Sequence, residues 1–553
     1  MYRIQSLLFL LVLILFSACQ ESSVDDAANV ITEQSLLEPI EILSSDEFEG
    51  RAPATRGEVQ TLDYIIEEFQ SIGVEPGMED GSFLQEFPLL GQQVDGQSAR
   101  FTIRQNGNIV DELDYRAEFM AWPSNEEERV QIENAEVLYV GYGIQAPEFD
   151  WDDYKDADVE GKVLVFKNSD PSFDPNIFEG DSRLYYGRWS YKFEKAEEMG
   201  ALGAIIIHTT PTAGYGWSIV ENSWGRERFA LQSEDNGNGP APEFSSWLTE
   251  ESSESLFSQA GMDLNKQLDA AASRDFEPVT LDGVTVDVNL SATYSNMSSN
   301  NIVGKITGSD PDLQDEYMVF SAHFDHLGIT NPVDGDSINN GAIDNAAGVS
   351  AVLNIANALK SVESQMKRSA LFVLVGAEEM GLLGSQYWAA NPTVHPGKVT
   401  ANLNLDGMQV YGKTNDVVLV GYGRNTITDI IEKYAAEDGR EVKPDPEPGQ
   451  GFFYRSDHFS FAKIGIPAIF PNRGRDYIDK TDTQVAAIDS VNTANYHAVS
   501  DEINEFWDMS GMEQDTRLFF RAAYDILNAD EMMTWEENDE FEAARNESLR
   551  DLE

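Results

Sequence analysis

From Asn301 to Asn528 short apolar runs alternate with longer amphipathic ones, and this alternation restricts the chain to few folds. Strands are expected at Met318–Ala322, Leu371–Gly376, Ala401–Leu405, Val417–Val420 and Ala468–Phe470. Helices are expected at Ala346–Ser361, Leu382–Asn391, Thr426–Glu437 and Gln514–Asn528. Strands that alternate with helices predict an α/β domain built on a mostly parallel, doubly wound sheet.

Upstream the pattern differs. Leu62, Ile65, Ile66 and Phe69 recur at helical spacing, so a helix there buries one face. Val137–Gly141, Val163–Phe166 and Ala204–His208 read as strands, with Lys192–Gly200 as a helix. This block holds no acidic–histidine cluster and is read as an inserted β-rich domain. The expected division is therefore 1–18, 19–33, 34–130, 131–295, 296–530 and 531–553. The first two segments are a leader and a flexible tether, and the last is a charged, solvated tail. Segments 34–130 and 296–530 belong to the main domain on either side of the insertion.

The leader follows from Leu7–Phe16, an apolar run behind Arg3 that is too short to span a bilayer. Ser17 and Ala18 then precede Cys19, the one cysteine of the chain. The segment resembles a bacterial lipobox, with Phe16 where leucine is usual. A lipid on Cys19 would anchor the exported protein to a cell-envelope membrane. One cysteine also excludes an internal disulfide or a thiolate metal cluster. With 37 basic and 97 acidic residues the chain carries a formal charge of −60, which repels phosphate backbones and excludes nucleic-acid binding as a main activity. Such self-repulsion fits work outside the cytosol in saline water, or equally a compositional bias of the lineage.

Five polar groups follow the strands, where α/β sheets bind ligands. They are His323-Phe-Asp325-His326, Gly341-Ala-Ile-Asp344-Asn, Glu378-Glu379, Asn404-Leu-Asp406-Gly and Tyr496-His497-Ala-Val-Ser-Asp501. Imidazole suits zinc, and an aspartate two positions on can accept the other ring N–H. A carboxylate on a glycine-rich turn can bridge two ions roughly 3.5–4 Å apart. Of two adjacent glutamates, one can bind metal while the other stays free as a general base. His208, His326 and His395 are read as structural or surface residues.

These groups, in this order, resemble the aminopeptidase Y-type two-zinc exopeptidases, which include leucyl aminopeptidases and glutamate carboxypeptidases. Ser44–Arg51 with Gly57 is similar to that family's opening segment. Gly161–Phe166 and Lys195–Ala204 are similar to a protease-associated domain. The resemblance implies a zinc-exopeptidase fold with two zinc ions per chain and peptide substrates. It implies His323, Asp344 and Asp406 on one zinc, and Glu379, Asp344 and His497 on the other. Glu378 would be the general base, Asp325 would orient His323, and Tyr496 would donate to the oxyanion. A cis bond would follow Asp344. Tyr454, Asp457 and His458 resemble a loop that lines the substrate pocket. An aminopeptidase is the leading expectation. A carboxypeptidase would instead need cations to grip an α-carboxylate, and Arg455, Arg473 and Arg475 are the ones near that loop. An inactive receptor on the same fold would lack metal ligands, and none of these positions is substituted.

Overall fold

A computed structural model describes residues 23–174, 177–232 and 241–552. The leader and Cys19 lie outside the described residues. No helix among those described is long and apolar enough to cross a membrane.

The elements that place the site are named in chain order. Helices α1 (Glu33–Leu43) and α2 (Arg56–Ile72) open the fold, followed by strand β1 (Leu84–Val94). Strands β2 (Val163–Lys167), β3 (Gly203–Ile207) and β4 (Phe244–Leu248) belong to the inserted block. A 28-residue strand, β5 (Val279–Ile306), leads into the main sheet. There β6 (Tyr317–His323), α3 (Gly348–Ser361), β7 (Ser369–Val375), β8 (Val399–Asn404), β9 (Asp416–Val420), β10 (Ala468–Asn472) and α4 (Ser510–Asn528) complete the unit. Every strand and helix expected from Asn301 onward is present, with ends moved by a few residues.

Strands β7, β6, β8 and β10 run parallel in that spatial order. Antiparallel neighbours close both sides, β5 beside β7 and β9 beside β10. All seven residues of β7 are buried, which is why its sequence is an unbroken apolar run rather than an alternation. Helix α3 is buried along most of its length, packed between the sheet and helices α1, α2 and α4. The sheet therefore presents its carboxyl ends, and the loops after them, to one side.

The inserted block has its own sheet, in which β2, β3 and β4 are parallel. Arg100–Gln105 and Phe119–Pro123, which precede the expected boundary at 131, pair into that sheet. The first half of β5 belongs to it, and the second half pairs with β1 and β7. Two expectations fail. Residues from Ser23 to Glu33 are not a flexible tether: Ser23 caps a short helix, and Ala27, Ala28 and Ile31 are buried in the main core. The segment 531–553 is not a solvated tail. Met533, Trp535 and Phe541 are buried, and Asp539 and Glu540 each hold Arg424 at 2.8 Å. Its many charges mask three apolar anchors spaced among them.

Replacing Trp535 with alanine leaves a cavity, and is expected to cost about 3 kcal/mol of unfolding free energy, read as a shift in denaturant midpoint. Unchanged stability would restore the solvated-tail reading.

Candidate metal centre

Each metal-seeking side chain sits on a loop at the carboxyl end of a parallel strand, or on the loop before α4 that folds over them. His323 ends β6 and is fully enclosed. Its Nε2 lies 3.2 Å from Asp344 Oδ1 and 3.4 Å from Asp406 Oδ1. The other oxygen of Asp344 lies 3.2 Å from His497 Nε2, which is also 3.1 Å from Glu379 Oε2. Asp344 thus faces two imidazoles with its two oxygens, as a bridging carboxylate must. The five residues expected as ligands converge, although they span 175 positions of sequence.

The loop carrying Asp344 is built rather than regular. Helix α3 begins at Gly348, after an irregular turn that contains a cis bond between Asp344 and Asn345. Asn345 accepts the N–H groups of Gly348 at 2.8 Å and Gly407 at 3.1 Å, and donates to the Leu405 carbonyl at 3.0 Å. It therefore caps α3 and stitches the Asp344 loop to the Asp406 loop. Ala377 (φ 56°), just before the glutamate pair, and His497 (φ 55°) both hold left-handed backbone without being glycine. Each costs on the order of 1 kcal/mol, which the surrounding contacts must offset.

Asp325 is placed differently from the expectation. Its carboxylate lies 3.8 Å from His323 Nδ1, which instead meets the Asp325 backbone carbonyl at 3.2 Å. The carboxylate accepts the N–H of Glu378 at 3.0 Å and of Glu379 at 3.3 Å. It fixes the glutamate loop, while its own carbonyl orients the histidine.

Three further residues have roles that the sequence did not assign. His326 is fully buried, and its Nδ1 is 2.6 Å from Glu379 Oε1, so it is neither a surface residue nor remote from the site. Together with Asp344 and Glu379 it forms a second possible metal-holding trio beside His323, Asp344 and Asp406. Asp501 accepts the N–H groups of Ile343 and Asp344, both at 3.1 Å, and so ties the His497 loop to the Asp344 loop. Arg51 is fully buried and donates to four carbonyls: Leu43 and Asn340 at 2.6 Å, and Phe324 and Gly341 at 2.8 Å. Phe324 and Gly341 flank the His323 and Asp344 loops, so one guanidinium spaces both. Its position in the opening Ser44–Arg51 segment was the one available signal.

The electrostatics follow from this crowding. Burial pushes the Glu378 carboxyl well above its usual range; His323 pulls it down, and Glu379, Asp457 and Asp406 push it further up. A carboxyl whose surroundings raise its proton affinity is better suited to taking up a proton than an ordinary carboxylate. Burial also acts to raise Glu379, but His326 and His497 outweigh it and hold that carboxylate at about 2. The two adjacent glutamates are thereby driven apart, one toward holding a cation and one toward moving a proton.

A cavity of about 470 Å³ opens beside the centre, reached by His323, Asp344, Glu378, Asp406, Tyr496 and His497. Tyr496 is largely exposed and its ring stacks on that of His497 at 3.9 Å. Tyr454, Asp457 and His458 do not line this cavity. Tyr454 turns away to Glu540 at 2.5 Å, and burial lowers the His458 imidazole to about 3 between Phe453 and Phe470. Asp457 is fully buried with neither oxygen hydrogen-bonded. Of this loop, Phe452, Arg455 and Ser456 face the cavity instead. Ser456 donates to Asp406 Oδ2 at 2.5 Å.

Residues 301–520 match the family described as Peptidase family M28. Leupeptin-inactivating enzyme 1 of Streptomyces exfoliatus is 31% identical over 208 residues, covering 37% of this chain and 43% of that protein. Leucine aminopeptidase 2 of Trichophyton equinum is 25% identical over 234 residues, covering 40% and 43% respectively. The chain thus spans under half the length of these curated relatives. Among solved structures, an aminopeptidase from Aneurinibacillus sp. strain AM-1 superposes with a TM-score of 0.51 at 18% identity, covering 91% of this chain and 96% of that one. That likeness establishes the shared α/β fold.

Histidine 326 is expected to stiffen Glu379 without being essential to the His323 side. His326→Phe should weaken metal binding at the Glu379 side of the centre roughly 10–100-fold and leave binding at the His323 side in place, measured by calorimetric titration and metal analysis. Equal weakening on both sides, or on neither, would contradict this placement.

Proposed function

We infer that this chain, whose residues 301–520 belong with peptidase family M28, is a two-zinc exopeptidase that removes N-terminal residues from peptides. The observation carrying the reading is the Asp344 carboxylate set between two imidazoles, with a raised Glu378 beside it. The donors are two or three imidazoles with carboxylate oxygens and no thiolate, a set suited to zinc and open enough to admit a substrate. His323, Asp344 and Asp406 would hold one ion, and Asp344, Glu379 and His497 the other. When bound, the ions polarise the scissile carbonyl and acidify the attacking water.

The rest is done by the chain. Glu378 takes the proton of the attacking water and returns it to the leaving amine, which its raised proton affinity permits. Asp325 holds the Glu378 backbone, so the carboxylate stays at the cavity wall. Tyr496 presents its hydroxyl at the cavity mouth, where it can donate to the developing oxyanion. The surplus of carboxylates around the centre suits the free α-ammonium of an N-terminal residue. The aminopeptidases among the relatives support the same direction.

We further propose export and lipid anchoring through Cys19, supported by the Leu7–Phe16 run and by the placement of the sole cysteine. The inserted unit is read as a protease-associated domain on its Gly161–Phe166 and Lys195–Ala204 segments.

Glu378→Gln should lower kcat on aminoacyl anilides by 100-fold or more while zinc content is retained. Blocking the substrate's amine should abolish cleavage, and cleavage of blocked but not free peptides would overturn the aminopeptidase reading. Cys19→Ser should move the protein from the membrane to the soluble fraction and end incorporation of labelled fatty acid.

A further inference from the structure

Acidic side chains exceed basic ones by 60 in this chain, so carboxylates able to pair with an arginine are abundant. Arg104, Arg368, Arg424 and Arg440 each hold one at 2.7–2.8 Å, whereas the buried Arg51 is satisfied by four backbone carbonyls instead. Arg455, Arg473 and Arg475 line the cavity beside Glu378 and Asp406, and among the described residues none has a carboxylate oxygen within 4.0 Å. Arg455 Nε is buried with no hydrogen-bond partner, and its guanidinium lies 5.4 Å over the Phe452 ring. Arg473 lies 5.5 Å from the Tyr411 ring.

The inserted unit adds to this charge. Burial lowers both Arg183 and Arg188, and Arg455 lowers each further; Asp170 offsets this for Arg183, while no carboxylate does so for Arg188. Arg188 Nε also lacks a partner. Bringing like charges together out of water costs free energy unless an anion compensates them. The cavity lining also contains the acids Asp445, Glu447 and Asp489. Asp445 accepts the Glu447 N–H at 2.8 Å and feels the charge of the exposed Arg475, whereas Arg455 and Arg473 have no carboxylate oxygen within 4.0 Å. Phe452, Phe470 and Val418 also line the cavity, apolar surface that suits a short methylene stem.

We propose that the arginines of this cavity receive a carboxylate of the substrate, so that the peptidase selects peptides bearing an acidic group within reach of Arg455 and Arg473. The group is either the side chain of a terminal glutamate or aspartate, or the free C-terminal carboxylate of a short peptide. This rests on the peptidase reading above. Planar guanidinium matches a carboxylate in two parallel hydrogen bonds, which gives geometric selection as well as attraction.

The test uses zinc-loaded full-length protein and two substrate pairs. One is glutamyl against glutaminyl anilide; the other is a dipeptide with a free against an amidated C-terminus. Selection should favour the carboxylate member of at least one pair by about tenfold or more in kcat/KM. Which pair responds identifies the source of the carboxylate. Arg473→Gln, at a half-exposed position, should bring that ratio close to one, Arg473→Lys should restore part of it, and Arg455→Gln should act like Arg473→Gln if it folds. Ratios near or below one in both pairs, or a preference that survives Arg473→Gln, would overturn the proposal while leaving the peptidase reading intact. Failure to cleave any peptide would instead remove the reading on which it rests.

Discussion

Five carboxylates, Asp325, Asp344, Glu378, Glu379 and Asp406, share the space beyond the ends of three parallel strands, and their mutual repulsion is the constraint that the surrounding structure answers. Asp457 and Asp501 stand immediately behind them, buried. An unpaired carboxylate out of water is so costly that it normally takes up a proton. Here the compensation is distributed. His323, His326 and His497 meet oxygens from three directions, Asp325 and Asp501 take backbone N–H groups, and Arg51 brings a full positive charge to the base of the site. The burial of Arg51 lowers its guanidinium to about 10, with Asp501, Asp325, Asp344 and Glu379 all opposing that fall. What remains uncompensated is the demand for cations, so ion binding and local folding are coupled in such a centre.

The legible parts of this arrangement were those with a local cause. Strands β6, β7 and β8 announce themselves as apolar runs, and the polar residue that ends each run is where a parallel sheet exposes its carboxyl ends. The α/β fold and the polar groups at the strand ends could therefore be read residue by residue, whereas their division into two ligand sets came from the family resemblance. His326 could not, because it lies in the loop beyond β6, where strand alternation no longer says which way a side chain points. Only its approach to Glu379, 53 positions away, gives it a role. Asp325 was placed in the right neighbourhood, but its true partners are backbone amides on another loop. Arg51 reaches carbonyls some 270–290 positions downstream, which no spacing rule anticipates. Tyr454, Asp457 and His458 carried the right loop and the wrong face, since Phe452, Arg455 and Ser456 are the residues of that loop that face the cavity.

Composition misled at both ends of the described chain. Residues 531–553 are so charged that a solvated segment is the natural expectation, yet Trp535 and Phe541 pack with Phe453, and Arg424 lies over the Phe453 and Phe541 rings. That cluster backs the loop whose other side carries Arg455. The end of the chain thus supports one wall of the cavity, and the inserted unit supports another through Tyr185, which packs on Tyr454 and Phe459.

Strand β5 gives the two sheets a common member. Its residues 284–289 pair with Arg100–Gln105 in one sheet, and residues 302–306 pair with β7 in the other, with no break between. A linker of loop would let the inserted unit swing; a continuous ladder-bonded ribbon resists bending at every rung. On the peptidase reading, a substrate would enter past fixed walls rather than between jaws that part, and the dimensions of that doorway, more than any closing motion, would set how long a chain end can reach the centre.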